Sequence, residues 1–429
     1  MNSMIKKIIV VLLRLVCRAI LWRHKPIVIA ITGSVGKTTT KDIIGHGLES
    51  VEYTRAADKS FNSDFGVPLA IIGVSNPWGK VSGWVNVILT GIGLIIKSDY
   101  PKILVLEIGT RFPGDIERLA KWLKPNISVI THIPDVPVHI EFFGSRQAVV
   151  DEKSQLAKYT RQDGMLILNR DSEHVFEIAK NSLHKVVSIG FNKESDVQAI
   201  NVQRIITDSG QYGMKFDVKI GDKILPTFVP GFIAKHQIYG ALFTIAVADS
   251  LGYNTETVAK SLSTLKPTVG RLNPLLGISN TLILDDSYNA SPAAMEAAIE
   301  TLGNIDTSGR HIAILGDMFD LGKMTKEVHE EIGLFIKQQK LDYVFLVGPR
   351  MRYAYDTLIN TKYPKTKITH SDGTADILPA LQKMSKSGDV ILIKGSQGMR
   401  MEKIVAELIE DKENIKKLLV RQDEEWLKR

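Results

Sequence analysis

Short runs of apolar, β-branched residues alternate along the chain with longer stretches of helical periodicity. The first run, Ile27–Thr32, has the sequence IVIAIT and is followed by a glycine, which predicts a buried strand, a loop and a helix from about Lys37. Buried strands separated by helices are typical of βαβ units and of a parallel sheet. The other strands predicted in this first series are Ile103–Glu107, Ile127–Thr131 and Met165–Asn169.

A second series of the same kind begins near Arg271. Between the two series, residues 195–230 alternate polar and apolar positions, which predicts a small antiparallel insertion. We therefore expect an α/β protein with an amphipathic segment over 1–25, a central domain with a parallel sheet over 26–268 and a Rossmann-like C-terminal domain over 269–429. The strands predicted in the second series are Thr281–Leu284, His311–Leu315, Tyr343–Val347 and Val390–Ile393, and the charged residues 402–429 predict a helix.

Composition excludes several classes of protein. Of 429 residues, 44% are hydrophobic and 24% charged, which is unlike a mainly disordered, collagen-like or multi-span membrane protein. The single cysteine, Cys17, excludes a disulfide framework and indicates a reducing, cytoplasmic compartment. Six of the seven net positive charges lie in residues 1–25, so the rest of the chain is nearly neutral and we expect no nucleic-acid partner.

The N-terminal segment carries its charges in a pattern. Residues Ile8–Trp22 are apolar except for Arg14 and Arg18, and on a helix these arginines share one stripe with Lys7 and Lys25. Two central arginines disfavour a membrane span. We expect an amphipathic helix in peripheral contact with an anionic membrane at its inner face. A helix packed on the body of the protein and a true span are the alternatives.

The loop after the first strand has the sequence GSVGKTTT. Its glycines allow backbone N–H groups to turn onto phosphate oxygens, and the following helix adds the positive potential of its N-terminus. The lysine supplies a charge to the β- and γ-phosphates, and the first threonine can bind Mg²⁺. The predicted phosphate-binding residues are Gly33, Ser34, Gly36, Lys37, Thr38 and Thr39.

Polar residues follow several other predicted strands. Glu107 ends a strand, where a carboxylate beside a phosphate loop can hold Mg²⁺. On spacing alone, His139 resembles a structural or surface histidine, and Lys153 a solvated helix lysine. In the second series, the loops with sequences DDSYNASP, LGDM and KGSQGMRME each follow a strand, so we expect them at one edge of one sheet, where α/β proteins bind ligands.

Together and in this order, these motifs resemble those of the Mur ligase family of ATP-dependent amide-forming enzymes. The likeness is greatest to the branch that adds D-alanyl-D-alanine to a UDP-linked muramyl tripeptide. The family's loop G-x-N-G-K-T-[ST] is matched except at Val35, and Ser291 and Gln397 are departures in two later motifs. The segments FNSDFGVPL from Phe61 and HIEFFGS from His139 are also similar, and the likeness covers about residues 27–408.

The resemblance implies ATP, two Mg²⁺ ions and a carbamylated lysine, for which Lys153 is the candidate. It gives roles to individual residues. The implied catalytic residues are Lys37, Lys153, His139 and Arg271; the metal-binding residues are Thr38, Glu107, His139 and Lys153; and the further nucleotide-binding residues are Gln237, Arg271, Asp286, Tyr288 and Asn289.

The implied activity is ADP-forming ligation through an acyl phosphate in peptidoglycan and cell-wall biogenesis. The enzyme is expected to be a monomer that adds D-alanyl-D-alanine, or a similar amine, to a peptide precursor. The family's separate UDP-binding domain has no room before Ile27, so a UDP-linked substrate stays open. The alternatives are another carboxylate acceptor, a membrane-associated ligase on a lipid-linked precursor, and a non-catalytic nucleotide-binding partner.

Overall fold

The computed structural model describes residues 3–57, 60–78, 81–137, 139–208 and 210–427. These residues form two sheets with helices on their faces, which confirms the α/β prediction. The first sheet has strand order β2-β3-β1-β4-β5-β6-β7-β8-β9. Its strands are β1 (Ile27–Thr32), β2 (Thr54–Ala56), β3 (Ile103–Glu107), β4 (Ile127–Ile130), β5 (Met165–Asn169), β6 (Lys185–Gly190), β7 (Val197–Ile206), β8 (Tyr212–Ile220) and β9 (Lys223–Pro230).

Strands β1 to β7 run parallel to one another, and β8 and β9 continue the sheet as an antiparallel meander. The predicted antiparallel region is therefore present. It is an extension of the central sheet rather than a separate insertion, because Ile189 and Gly190 of β6 pair with Val197 and Gln198 of β7.

The second sheet has strand order β10-β11-β15-β12-β13-β14, with only β10 antiparallel among these strands. Because β15 lies between β11 and β12, the three polar loops that follow these strands meet at one edge, as predicted. The strands are β10 (Asn273–Gly277), β11 (Thr281–Asp286), β12 (His311–Gly316), β13 (Tyr343–Val347), β14 (Ile368–Ser371) and β15 (Val390–Lys394).

Helices cover both faces of the first sheet. Along β1, Ile29 and Ile31 lie in one buried cluster with α2 and α9, whereas Val28 and Ala30 lie in another with α1, α3 and α5. Both faces of β1 are thus buried, which explains its continuous apolar sequence. The helices that precede β10 in the chain are α1 (Ser3–His24), α2 (Lys37–Glu49), α3 (Gly66–Ile72), α4 (Val81–Ile96), α5 (Asp115–Leu123), α6 (Ile140–Phe143), α7 (Arg146–Lys158), α8 (Glu173–Lys180), α9 (Ile238–Ser250) and α10 (Thr255–Ser261).

The charged C-terminal segment is not the single helix predicted from its sequence. It is broken into short helices because Glu402 is buried and pairs with both Arg400 and Arg421, so the chain folds back on itself. The remaining helices are α11 (Pro292–Gly303), α12 (Thr325–Gln338), α13 (Met351–Asn360), α14 (Leu378–Met384), α15 (Glu402–Leu408), α16 (Ile415–Leu418) and α17 (Glu424–Leu427).

The N-terminal helix α1 packs one of its faces on the body of the protein. Ile9, Leu13, Cys17 and Ile20 are buried there, and the ring of His24 makes a 2.9 Å hydrogen bond with the carbonyl of Leu94. Among the residues described, we find no helix with both the length and the apolar character that crossing a membrane requires. The expected amphipathic helix is therefore observed. One of its faces packs on the body of the protein, as the alternative interpretation predicted, and its opposite face is exposed.

Candidate active site

The loop between β1 and α2 has the backbone that its glycines predict. Gly33 has φ +145°, and a Cβ placed there would lie 2.0 Å from Oγ1 of Thr131, so only glycine fits. Gly36, with φ +85°, immediately precedes α2. The ammonium of Lys37 folds back across the loop and donates to the carbonyl of Gly33 at 2.9 Å. The lysine charge and the helix N-terminus therefore converge on the same loop, as anion binding requires.

Glu107 lies buried at the end of β3, directly beside this loop. Its carboxylate accepts hydrogen bonds from Thr38 at 2.8 Å, from Ser60 at 2.9 Å and from Asn62 at 2.9 Å. Burial by itself raises the pKa of this carboxyl, but the charge of Lys37 and the three hydrogen bonds outweigh it and hold the pKa below its usual value. An ionised carboxylate and a hydroxyl are thus held together, and both offer the oxygen ligands that Mg²⁺ prefers.

Ser60 and Asn62 were not singled out from the sequence. Asn62 belongs to the FNSDFGVPL segment that resembles the family, so the segment was found and the particular side chain was not. Its amide donates to Glu107, and its backbone carbonyl accepts from Gly109 at 2.9 Å. The segment therefore holds one carboxylate oxygen of Glu107, while Thr38 of α2 donates to the other.

Lys153 is fully buried on α7, in contrast to the solvated lysine that spacing alone indicates. Its ammonium donates to the carbonyl of Gly33 at 2.9 Å, the same carbonyl that accepts from Lys37. Burial first, and then the charge of Lys37, lower the pKa of Lys153 well below its usual value, although Glu152 opposes this. The structure therefore brings Lys153 to the phosphate loop, where its protonated form is less stable than that of an exposed lysine.

The neighbouring Glu152 has a structural role. Its carboxylate accepts from the backbone N–H of Gly114 at 2.8 Å and of Ile116 at 2.7 Å, at the start of α5. It thereby satisfies donors that a helix N-terminus leaves unpaired. Packing of α7 against α5 therefore explains why a glutamate stands next to Lys153.

Among the described residues, we find no hydrogen bond between His139 and the Thr38–Glu107 pair, although His139 lies within reach of the charges of Lys37 and Lys153. It precedes α6 with φ +64°, and its Nδ1 lies 3.3 Å from a carboxylate oxygen of Asp320, in the loop after β12 of the second sheet. Burial lowers the pKa of His139, the Asp320 carboxylate opposes this effect, and the two lysine charges lower the pKa further. Within the described ranges, no three His, Cys, Asp or Glu side chains form a metal-binding group, so the four-residue metal set stays a prediction.

The polar loops of the second sheet are joined by a buried ion pair. The ammonium of Lys394 donates to Asp286 at 2.7 Å and to the carbonyl of Asn289 at 3.0 Å. The side-chain oxygen of Asn289 in turn accepts from the backbone N–H of Gln397 at 3.2 Å. The sequence places Lys394 only at the start of a loop, and the structure makes it the residue that positions Asp286.

Arg271 and Gln237 lie between the two sheets. The guanidinium of Arg271 stacks 4.0 Å from the ring centre of Tyr288, and its Nε is buried without a hydrogen-bond partner among the described residues. The side chain of Gln237 accepts from the backbone of Ile233 and Ala234 at 2.8 and 3.0 Å and donates to the carbonyl of Arg271. Gln237 therefore links the backbone of residues 233–234 to that of Arg271, and these hydrogen bonds occupy most of its amide group.

Two cavities meet between the sheets. The smaller, about 220 Å³, is lined by Gly36 and Thr38 of the phosphate loop and by Asp286 and Lys394 of the second sheet. The larger, about 1100 Å³, is lined by Ser60 and Tyr288 among others. Thr38 and Arg271 line both cavities, so the phosphate loop lies where two ligands could approach each other.

Asp285, next to the ion-paired Asp286, gives the fold a pH dependence. Burial raises its pKa to about 7, whereas an unfolded aspartate titrates near 4. Between these values the folded state holds a proton that the unfolded state releases, so its stability falls as pH rises from about 4 to about 7. Relative to Asp285→Asn, the free energy of unfolding of the unmodified protein should decline across that window in chemical denaturation. Parallel curves for the two proteins would contradict the shift.

The phosphate loop of the first sheet faces the arginine and the acid of the second, which defines a two-part α/β protein of the P-loop class. Comparison with known families agrees: the Mur ligase middle domain matches residues 31–248, and the Mur ligase, glutamate ligase domain matches residues 270–397. The chain belongs to the Mur ligase family.

Named relatives and solved structures extend this finding. The UDP-N-acetylmuramoyl-tripeptide–D-alanyl-D-alanine ligase of Bacillus subtilis is 30% identical over 89% of this chain and 76% of its own length. The Escherichia coli enzyme of that name is 27% identical over 90% and 77%. The structure of MurF from Acinetobacter baumannii, 24% identical, has a TM-score of 0.77 and covers 93% of this chain and 80% of its own. MurF from Thermotoga maritima in complex with ADP, also 24% identical, has a TM-score of 0.75 and covers 95% and 84%. These two solved structures show that the chain shares their fold.

Proposed function

We propose that the protein is an ATP-dependent, ADP-forming ligase that joins a carboxylate to an amine through an acyl phosphate. The observation that carries the proposal is the half-buried Thr38 hydrogen-bonded to the buried Glu107 beside Lys37, facing Arg271 and the Asp286–Lys394 pair across one cleft. The relatives named as D-alanyl-D-alanine ligases support the same reaction class. We propose the division of the chain into 1–25, 26–268 and 269–429 as its functional units, with the cleft between the last two.

The donor set fits the ions and the nucleotide that this reaction needs. Thr38 and Glu107 supply oxygen ligands of the kind Mg²⁺ takes, and the carboxylate is held ionised. When bound, Mg²⁺ neutralises phosphate charge. We assign the phosphates of ATP to the loop residues Gly33, Ser34, Gly36, Lys37, Thr38 and Thr39, and the rest of the nucleotide to Gln237, Arg271, Asp286, Tyr288 and Asn289.

The reaction consists of two displacements. First, an oxygen of the substrate carboxylate bonds to the γ-phosphorus, the bond to the bridging oxygen breaks, and ADP leaves with the electron pair. Then the amine nitrogen bonds to the acyl carbon, inorganic phosphate leaves and a proton is released. Lys37 and the loop N–H groups stabilise the charge on the transferring group. Arg271 adds charge from across the cleft, and closure of the cleft protects the acyl phosphate from water.

We further propose that Lys153 acts as a carbamate. Its neutral amine bonds to carbon dioxide and loses one proton, which gives an anion with two oxygen donors in place of a cation that cannot bind a metal. The support is the buried position and the lowered pKa of Lys153 beside the phosphate loop. With Thr38, Glu107 and His139, the carbamate would complete the donors for a second Mg²⁺.

We propose that the substrates are D-alanyl-D-alanine and a muramyl-peptide carboxylate. We also propose that the protein is a cytoplasmic monomer at the inner face of the membrane, with residues 1–25 in peripheral contact with that membrane. The test measures ADP and the mass of the product with ATP, Mg²⁺, D-alanyl-D-alanine and either a UDP-linked tripeptide, its lipid-linked counterpart or another amino-acid acceptor. We expect ADP release that requires both an amine and one of these carboxylates. Nucleotide binding without any amide product would instead support a non-catalytic nucleotide-binding partner.

A further inference from the structure

We infer that α1 and α4 together form one membrane-binding surface that docks the protein on an anionic lipid bilayer. The inference rests on the peripheral contact proposed above for residues 1–25 and extends it to a second helix, which lies more than fifty residues further along the chain. Nothing in the sequence pattern marked α4 for this role. The structure brings it beside α1.

Helix α1 has three distinct faces. One is buried on the body of the protein and carries Leu13 and Cys17. A second carries the basic stripe that includes Arg14 and Arg18. The third is apolar and exposed, and its large side chains are between 41% and 77% accessible: Ile8, Val11, Leu12, Leu15 and Trp22. A helix that only packed on the protein would need the first face and not the third.

Helix α4 repeats the exposed apolar face without any charge. None of its sixteen residues is charged, and Trp84, Val87 and Gly91 form its buried side. The exposed residues recur at intervals of three or four, so they lie along one face of the helix. They are between 44% and 81% accessible: Val81, Val85, Leu89, Ile92 and Ile96. An apolar stripe of this length on a solvent-facing helix is typical of a surface that has a partner.

The two apolar faces adjoin. A Cβ at Gly91 of α4 would lie 2.5 Å from Cγ1 of Val16, which borders the exposed apolar side of α1. Further along both helices, His24 contacts the carbonyl of Leu94. Helices α1 and α4 therefore pack against each other, and their exposed apolar stripes adjoin at this contact.

Charge identifies the occupant of this surface as an anionic bilayer. Neither helix contains an acidic residue, and the basic stripe of α1 lies along one edge of the apolar surface. Arg14 and Arg18 also line a groove with Lys121 and Lys124 of the α5 region, although Asp64 and Glu117 offset part of its charge. An apolar strip that enters the acyl boundary beside cations that meet phosphate headgroups is the arrangement of interfacial helices.

The surface lies at one end of the larger cavity. Ser75, Asn76 and Trp78, which line that cavity, come just before α4, and the indole of Trp84 donates to the carbonyl of Trp78 at 3.0 Å. Docking through α4 would therefore bring this wall of the larger cavity towards the bilayer surface. Docking through α1 and α4 thus favours a lipid-linked acceptor for the proposed reaction.

The test is flotation of the full chain with vesicles of phosphatidylcholine, with and without phosphatidylglycerol. The variants are Leu89→Ser with Ile92→Ser on α4, and Leu15→Ser with Trp22→Ser on α1. The matched control is Ile206→Ser with Ile224→Ser, whose side chains are equally exposed on the antiparallel strands. We expect binding to vesicles with phosphatidylglycerol that weakens as salt rises, at least about a tenfold loss for each helix pair, and no change for the control.

Three results would overturn the inference. Loss of binding only in the α1 pair would confine the contact to the N-terminal helix and leave the peripheral contact itself standing. Absence of vesicle binding by the unmodified chain would remove both proposals. A dimer in sedimentation without vesicles that the α4 pair dissociates would identify a second copy as the occupant. None of these readouts depends on ligase activity, so failure of the proposed reaction would be seen separately.

Discussion

Replacing Lys37 with alanine is expected to abolish ATP turnover and leave the fold intact. The ammonium lies across the phosphate loop, 2.9 Å from the carbonyl of Gly33, and is the charge that we propose for the transferring phosphoryl group. Loss of one preorganised charge contact of this kind costs about 3 kcal/mol or more, which corresponds to a loss of about a hundredfold or more in rate. The measurement is ADP release with both substrates present, together with circular dichroism to verify folding.

A matched control for this variant is Lys326→Ala, because that lysine is exposed on α12 and forms an ion pair with Glu330, one helical turn further on. It should retain full turnover. Turnover near the normal rate in folded Lys37→Ala would remove the phosphate loop from the mechanism.

Replacing Lys153 with alanine is expected to be almost as damaging, for a different reason. The variant loses the proposed carbamate and with it an oxygen-donor anion beside the loop, so we expect a loss of about a hundredfold or more, on the scale of other lost charge contacts. Short carboxylic acids such as acetate should restore part of the activity, since they can occupy the space of the deleted side chain. Lys37→Ala should show no such rescue, because it lacks a cation and not an anion.

Carbamylation can also be observed directly. Isotope-labelled bicarbonate should give the unmodified protein a carbamate signal in nuclear magnetic resonance, and Lys153→Ala should lack that signal. Full activity of Lys153→Ala, or an unchanged signal in it, would show that the carbamate has been assigned to the wrong lysine.

Sequence patterns correctly predicted those parts of the fold that a short segment of the chain specifies by itself. The buried run over Ile27–Thr32 and the glycines after it specify a strand and a phosphate loop within a few residues of one another, and both are observed. In the first sheet, the edge strand β2 and the internal strand β6 were missed. The first has only three residues, and the second begins with an exposed lysine, so neither has the long apolar run that identifies a buried parallel strand.

The parts that could not be predicted depend on contacts between distant segments. Lys153 has the sequence context of a solvated helix residue, and only the packing of α7 against the phosphate loop buries it. Glu402 likewise belongs to a charged segment, and its burial depends on Arg421, nineteen residues further on. For α1, amphipathic patterning predicted an apolar face but could not separate the face that packs on the protein from the one that stays exposed.

Transfer of an isotope label can show whether the reaction passes through an acyl phosphate at this site. The substrate carboxylate is labelled with heavy oxygen, and the inorganic phosphate is analysed by mass spectrometry after amide formation. The account predicts one labelled oxygen in each phosphate released, because the carboxylate oxygen that bonds to phosphorus leaves with it. Amide product accompanied by unlabelled phosphate would contradict the account.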